Sequence, residues 1–146
     1  MIDYMIDTNV PLRWIQNNSR QQAVARNALQ TLTRRGDALF FAAQNHIEFW
    51  SVATRPASRG GLALTPAQAD AKLKQFERTF QFLPDDPLIL SVWRTLVLTN
   101  GITDTLVHDA RLAATMLAYG VTHILTFNVA DFVQFPDITV VHPANV

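Results

Sequence analysis

Short apolar runs alternate with longer stretches of helical periodicity along this chain, and that alternation limits the fold to a strand–helix repeat. Residues 4–6, 38–43, 80–83, 123–127 and 138–141 read as strands. The run at 38–43 is apolar at every position, as expected of a strand covered on both faces in a parallel sheet. Between the runs, residues 19–35 place Ala23, Val24, Ala28, Leu29 and Leu32 at helical spacing and close on Gly36. Helices are also expected at 11–16, 46–54, 66 to about 78, 87–100 and 104–119, with one helical turn at 128–132. The 87–100 stripe is Leu88, Ile89, Val92, Trp93, Leu96 and Val97. The pattern implies a three-layer α/β/α domain with a central parallel sheet, spanning 1–146 as a single unit.

Composition narrows the chemistry. Zero cysteines exclude disulfides, thiolate catalysis and thiolate metal sites, leaving oxygen and imidazole as metal ligands. Twelve basic residues balance twelve acidic ones, so no broad basic coat drives nucleic-acid binding. Ten of the twelve are arginine, and Arg55 and Arg59 flank a Pro/Ser/Gly stretch beside an acidic position. Arginine suits bidentate phosphate contact, although a solvated surface role fits these two equally well. The first fifteen residues lack a basic leader, and no apolar run reaches bilayer length, so a cytoplasmic location is expected.

The acids recur at one kind of place. The first strand ends at Asp7, followed by Thr8 and Asn9, and open parallel sheets bind ligands just outside the carboxyl ends of their strands. Glu48 follows the second strand, early in its helix. It is also the third helical position after Asn45, where a Glu can complete a capping box. Asp109 falls near the start of the helix opened by Asp104, which reads as its cap, and shares a face with Ala113 and Met116. The helix dipole or a metal would each account for it. Asn128 and Asp131 follow the fourth strand, with Asn128 able to cap the turn and Asp131 favoured in it by the dipole. Several carboxylates meeting at one sheet edge repel unless a cation holds them, which points to Mg²⁺ or Mn²⁺ and to metal-assisted phosphodiester hydrolysis.

Four motifs in order resemble a known family: Ile-Asp-Thr-Asn ending at Asn9, His-Ile-Glu-Phe-Trp around Glu48, His-Asp-Ala-Arg-Leu-Ala-Ala from His108, and Leu-Thr-Phe-Asn ending at Asn128 with Asp131-Phe132 beyond. Together they resemble a PIN-domain ribonuclease of the VapC toxin type, over essentially the whole chain. The resemblance implies a PIN fold, Mg²⁺- or Mn²⁺-dependent endoribonuclease activity, a homodimer, and a cognate antitoxin protein that docks at the active site. It implies Asp7, Glu48 and Asp109 as metal ligands, with Thr8 and Asn9 supporting the first. The family's fourth, often acidic position falls on Asn128, which carries no charge, so Asp131 is the candidate to assist. Cleavage in such a family leaves a 5′-phosphate and a 3′-hydroxyl. Arg55, Arg59 and Arg111 are candidate RNA-phosphate contacts.

Other residues and classes compete. His46 and His108 adjoin the acids but suit structural roles better than proton transfer. Trp14, Trp50 and Trp93 can stack on bases, though Trp93 lies on the apolar stripe. An aspartyl-phosphate phosphatase or a receiver domain needs a downstream lysine, and the only lysines are Lys72 and Lys74. The strongest rival is a degenerate PIN-like module that binds RNA or a protein partner without cutting.

Overall fold

The computed structural model describes residues 1–17 and 19–146. Five strands, β1 (Asp3–Ile6), β2 (Ala38–Ala42), β3 (Gln81–Leu83), β4 (His123–Leu125) and β5 (Thr139–Val141), form one sheet in the order β3-β2-β1-β4-β5. All four pairings are parallel. Two helices fill each of the first three crossovers: α1 (Asn9–Ile15) and α2 (Arg20–Arg35), then α3 (Ala43–Thr54) and α4 (Pro66–Phe76), then α5 (Pro87–Thr99) and α6 (Leu106–Tyr119). The strand order reverses at β1, so the crevice between the carboxyl ends of β1 and β4 is the topological switch point where such sheets take ligands.

Strand alternation builds the three layers. Tyr4 and Ile6 point into a core shared with α1 to α4, while Met5 between them points into a second core with α5 and α6. Phe41 joins the first core and Ala42 the second. Phe41, Phe49, Phe76 and Phe80 pack on one another in the first core, with ring centroids 5.1 to 6.5 Å apart. That geometry adds to the area they bury.

Local sequence explains most element ends. Ser19 caps α2 by accepting from the Gln21 amide, and Gly36 ends it in the left-handed conformation, φ 79°. Thr65 and Gln68 form a reciprocal capping box on α4. Two expectations need correction. α3 begins at Ala43, directly after β2, because the Asn45 side chain folds back to accept the Ala42 amide at 2.8 Å. Glu48 therefore lies in the second turn and caps nothing. At α6 the turn before the helix is set by backbone: Asp104 adopts φ 56° and its carbonyl accepts from the Val107 amide, so its carboxylate is not the cap.

The segment between α3 and α4 departs from the flexible loop its glycines suggest. A 3-10 turn (Ala57–Arg59) folds back on the end of α3, with Ala63, Leu62 and Leu64 amides donating to Arg55, Val52 and Ala53 carbonyls. Gly61 is required there because a Cβ would collide with the Arg55 backbone.

Candidate active site

Asp7 is placed by the sheet itself. Its amide donates to the Leu125 carbonyl at 3.0 Å, extending the β1–β4 ladder by one residue beyond Ile6. The carboxylate is 8% exposed and accepts from the Thr8 amide at 2.8 Å, the Thr126 hydroxyl at 2.7 Å and the Asn9 side chain at 3.1 Å. Burial pushes its pKa up to about 6. The Thr126 bond opposes that rise, and the Glu48 charge adds to it. Thr126 also accepts the Asn128 amide at 3.0 Å, tying the turn after β4 to the same acid.

Glu48 comes from α3 and is gripped on both oxygens. The Thr8 hydroxyl donates to Oε2 at 3.0 Å and the Gln44 amide to Oε1 at 2.7 Å. Asn45, fully buried, donates to the Thr8 hydroxyl at 3.1 Å and so fixes its direction. Asp109 comes from the first turn of α6 and is half-buried. Among the described residues it has no donor or cation against it. Burial, then the charges of Asp131, Asp7 and Glu48, push its pKa up to about 7.

These three acids share one cleft of about 320 Å³, lined also by Thr8, Asn9, Arg55 and Asn128. The structure thus brings together seven of the positions singled out in the sequence. Asp131, on the 3-10 turn Val129–Asp131, does not line the cleft but lies near enough for its charge to raise both aspartates. Arg59 is exposed on the turn after α3. Arg111 points away from the cleft's centre, with Nη1 on Gln44 at 3.2 Å and Nη2 on Asp85 at 3.0 Å.

The competing residues resolve as packing. Trp14 stacks on Phe76 at 5.7 Å, Trp50 packs against the same core, and the Trp93 indole donates to the Val107 carbonyl. His46 lies against Phe41 and Phe82, with Nδ1 on the Ala42 carbonyl at 2.8 Å. His108 meets the site through its backbone, where its carbonyl accepts from Gln44. Thr126, Gln44 and Asn45 are the polar residues that sequence reasoning passed over. Gln44 was signalled by its spacing, four residues before Glu48 and therefore on the same helix face. Thr126 and Asn45 had no such signal, since each acts across elements.

The donor set suits a hard divalent cation: carboxylate oxygens, the Asn128 carbonyl and water, with no sulfur. Two raised carboxyl pKa values and, among the described residues, no ion pair to any of the three acids mark uncompensated negative charge. As oriented, no three His, Asp or Glu side chains among the described residues enclose a single point. Of the three acids, Asp109 alone has no hydrogen-bonded partner among the described residues.

An α/β domain is wound about a switch point, and three acids, from the end of β1, from α3 and from α6, line its crevice. The chain belongs to the PIN-domain family: the model for "PIN domain" matches residues 4–137. No curated protein matches it. Among solved structures, it is similar to VapBC2 from Rickettsia felis bound to a promoter DNA fragment, at 16% identity and TM-score 0.72, covering 97% of this chain and 98% of that one. It is similar to DNA-bound VapBC from Salmonella typhimurium at 19% identity and TM-score 0.71, covering 98% and 99%. VapC20 of Mycobacterium tuberculosis, described as a sarcin-ricin loop cleaving toxin, aligns at 14% identity and TM-score 0.58, covering 83% and 86%. At such identities the likeness is one of fold.

Proposed function

We propose that this chain is a Mg²⁺- or Mn²⁺-dependent endoribonuclease of the VapC toxin type, acting on RNA in the cytoplasm and held inactive by a cognate antitoxin protein. The observation that carries this reading is the meeting of Asp7, Glu48 and Asp109 in one cleft with, among the described residues, no ion pair to any of them. Membership of the PIN-domain family and the toxin–antitoxin character of the structures it resembles support it.

In this reading Asp7, Glu48 and Asp109 hold the ion. A bound divalent cation supplies charge neutralisation and a water of lowered pKa. Thr8, Asn9 and Thr126 keep both Asp7 oxygens oriented, and Thr8 with Gln44 does the same for Glu48. Asn128 and Asp131 position the attacking water. Its oxygen joins phosphorus, the bond to the 3′-oxygen breaks, and that oxygen takes up a proton, leaving a 5′-phosphate and a 3′-hydroxyl. Arg55 at the cleft and Arg59 on the adjoining turn contact the RNA phosphates.

The chain also acts as a homodimer in this reading. α5 is an apolar helix with only Ile89 buried, and it leaves Leu88, Leu90 and Leu98 at 51%, 59% and 77% exposure. Leu90 and Leu98 line one groove with Pro87, Ser91, Arg94 and Thr95, a surface that a second copy of the chain would cover.

Cleavage of a labelled structured-RNA panel with Mg²⁺, Mn²⁺ or EDTA, alongside Asp7→Asn and Asp109→Asn, tests the activity. Metal-dependent cuts that vanish in both variants are expected. No cleavage of any RNA, with no metal binding by calorimetry, would leave a PIN-like module that binds without cutting.

A further inference from the structure

Glu48 and Asp109 stand on different helices, and one buried side chain joins the backbones that carry them. Gln44, 6% exposed, donates from Nε2 both to Glu48 Oε1 and to the His108 carbonyl, each at 2.7 Å. His108 immediately precedes Asp109 on α6. The remaining polar atom of Gln44, Oε1, accepts from Arg111 Nη1 at 3.2 Å, and Arg111 is held in turn by Asp85 just before α5. An amide can be turned by 180° with little change in shape. Reversed, this one would set its oxygen against the Glu48 carboxylate and the His108 carbonyl. The Arg111 guanidinium, which only donates, excludes that reversed state.

We propose that Gln44 and Arg111 form a positioning bridge between α3 and α6 that sets the separation of Glu48 and Asp109. Arg111 acts on the acidic site through Gln44 and not by touching RNA. The bridge rests on the reading of these acids as metal ligands. Its members are positioning residues: Gln44 touches Glu48 and the His108 carbonyl, and Arg111 touches Gln44. Partners of this kind, one layer behind the metal, typically change affinity by about 10–100-fold when removed.

The test is Mn²⁺ binding by calorimetry to the full chain, for wild type, Asp7→Asn, Gln44→Met, Arg111→Met and the double variant, with RNA cleavage kinetics in parallel. Gln44→Met and Arg111→Met are each expected to weaken Mn²⁺ binding by at least about 10-fold. Because they act in series, the double variant should be no weaker than Gln44→Met alone. Arg111→Lys, which keeps one donor, should recover part of the loss. Arg111 is only partly buried, so its variants keep the bridge testable if Gln44→Met fails to fold. Mn²⁺ affinity unchanged in Arg111→Met, with only KM raised, makes Arg111 an RNA contact and overturns the bridge. So do losses that multiply in the double variant. Wild type that binds no Mn²⁺, no better than Asp7→Asn, overturns the metal-site reading itself and takes the bridge with it. Wild-type binding matched by Gln44→Met overturns the bridge alone.

Discussion

At the scale of single residues, the site is a set of buried and half-buried acids whose charge, among the described residues, no ion pair neutralises. Asp109 shows this most clearly, with its pKa pushed up to about 7 by burial and by three neighbouring carboxylates. With no donor against it among the described residues, it loses no hydrogen bond when made neutral. Asp109→Asn is therefore expected to abolish cleavage while raising the melting temperature of the protein in EDTA at pH 8. At pH 5, where wild-type Asp109 is itself protonated, the gain should disappear. Thermal melts at the two pH values decide it, and a lower melting temperature at pH 8 would mean that the carboxylate is structural. Such an exchange of stability for activity is common at working sites. The placement of Asp7 and Asp109 at the cleft was legible in the sequence because an acid at the end of an apolar strand, or at the head of the helix leading into one, falls at the rim of the sheet. Asn45 and Thr126 were not, because neutral amides and hydroxyls suit many environments and their partners at the site lie 37 and 119 residues away, whereas Gln44 left the signal of its four-residue spacing to Glu48.

At the scale of elements, the sequence showed the existence of nearly every strand and helix but not how they join. The reading of Glu48 as a cap failed because α3 begins at Ala43, and that start depends on Asn45 reaching back to the Ala42 amide. The same back-bonding pattern was there in the sequence, but it is Asn45 and not Glu48 that fills the third helical position. Leaving that amide unpaired in the core would cost roughly 1–3 kcal/mol. The segment after α3 misled for the opposite reason: two adjacent glycines suggest looseness, yet Gly61 is there for close approach to the Arg55 backbone. Gly61→Ala is expected to lower the melting temperature and to weaken RNA binding through Arg55. A neutral effect on both would show that the turn can move aside. On the other side of the sheet, α5 is apolar beyond what its own core needs. Leu90→Lys with Leu98→Lys should convert a dimer to a monomer in light scattering with little change in thermal stability. A wild type already monomeric at high concentration would remove the assembly from the functional reading.

For the whole molecule, the balance of charge depends on pH in a direction the two aspartates fix. Both folded pKa values, about 6 and about 7, lie above the ordinary 3.8, so between those limits the folded chain keeps protons that the unfolded chain has released. Their contribution is fully favourable below pH 3.8 and is lost as pH rises through 6 and 7. The metal-free protein should accordingly melt lower at pH 8 than at pH 5.5. Mn²⁺ should restore the difference at pH 8, with an affinity that climbs as pH rises from 5.5 to 8 because binding releases protons. A melting temperature flat across that range and indifferent to Mn²⁺ would contradict both the burial of charge and the metal site. The three-layer architecture itself was legible from alternation alone, since a continuous apolar strand such as β2 has to be covered on both faces.

The backbone rung between Asp7 and Leu125 divides the cleft into parts of unequal permanence. An amide in the middle of a five-stranded sheet exchanges its hydrogen only when most of the domain opens, while the head of α6, reached through an exposed turn, opens far more readily. One jaw of the site is thus as durable as the fold, and the other is adjustable. A protein that regulated this cleft would have to cover it or shift the α6 side, because Asp7 stays in place for as long as the domain is folded.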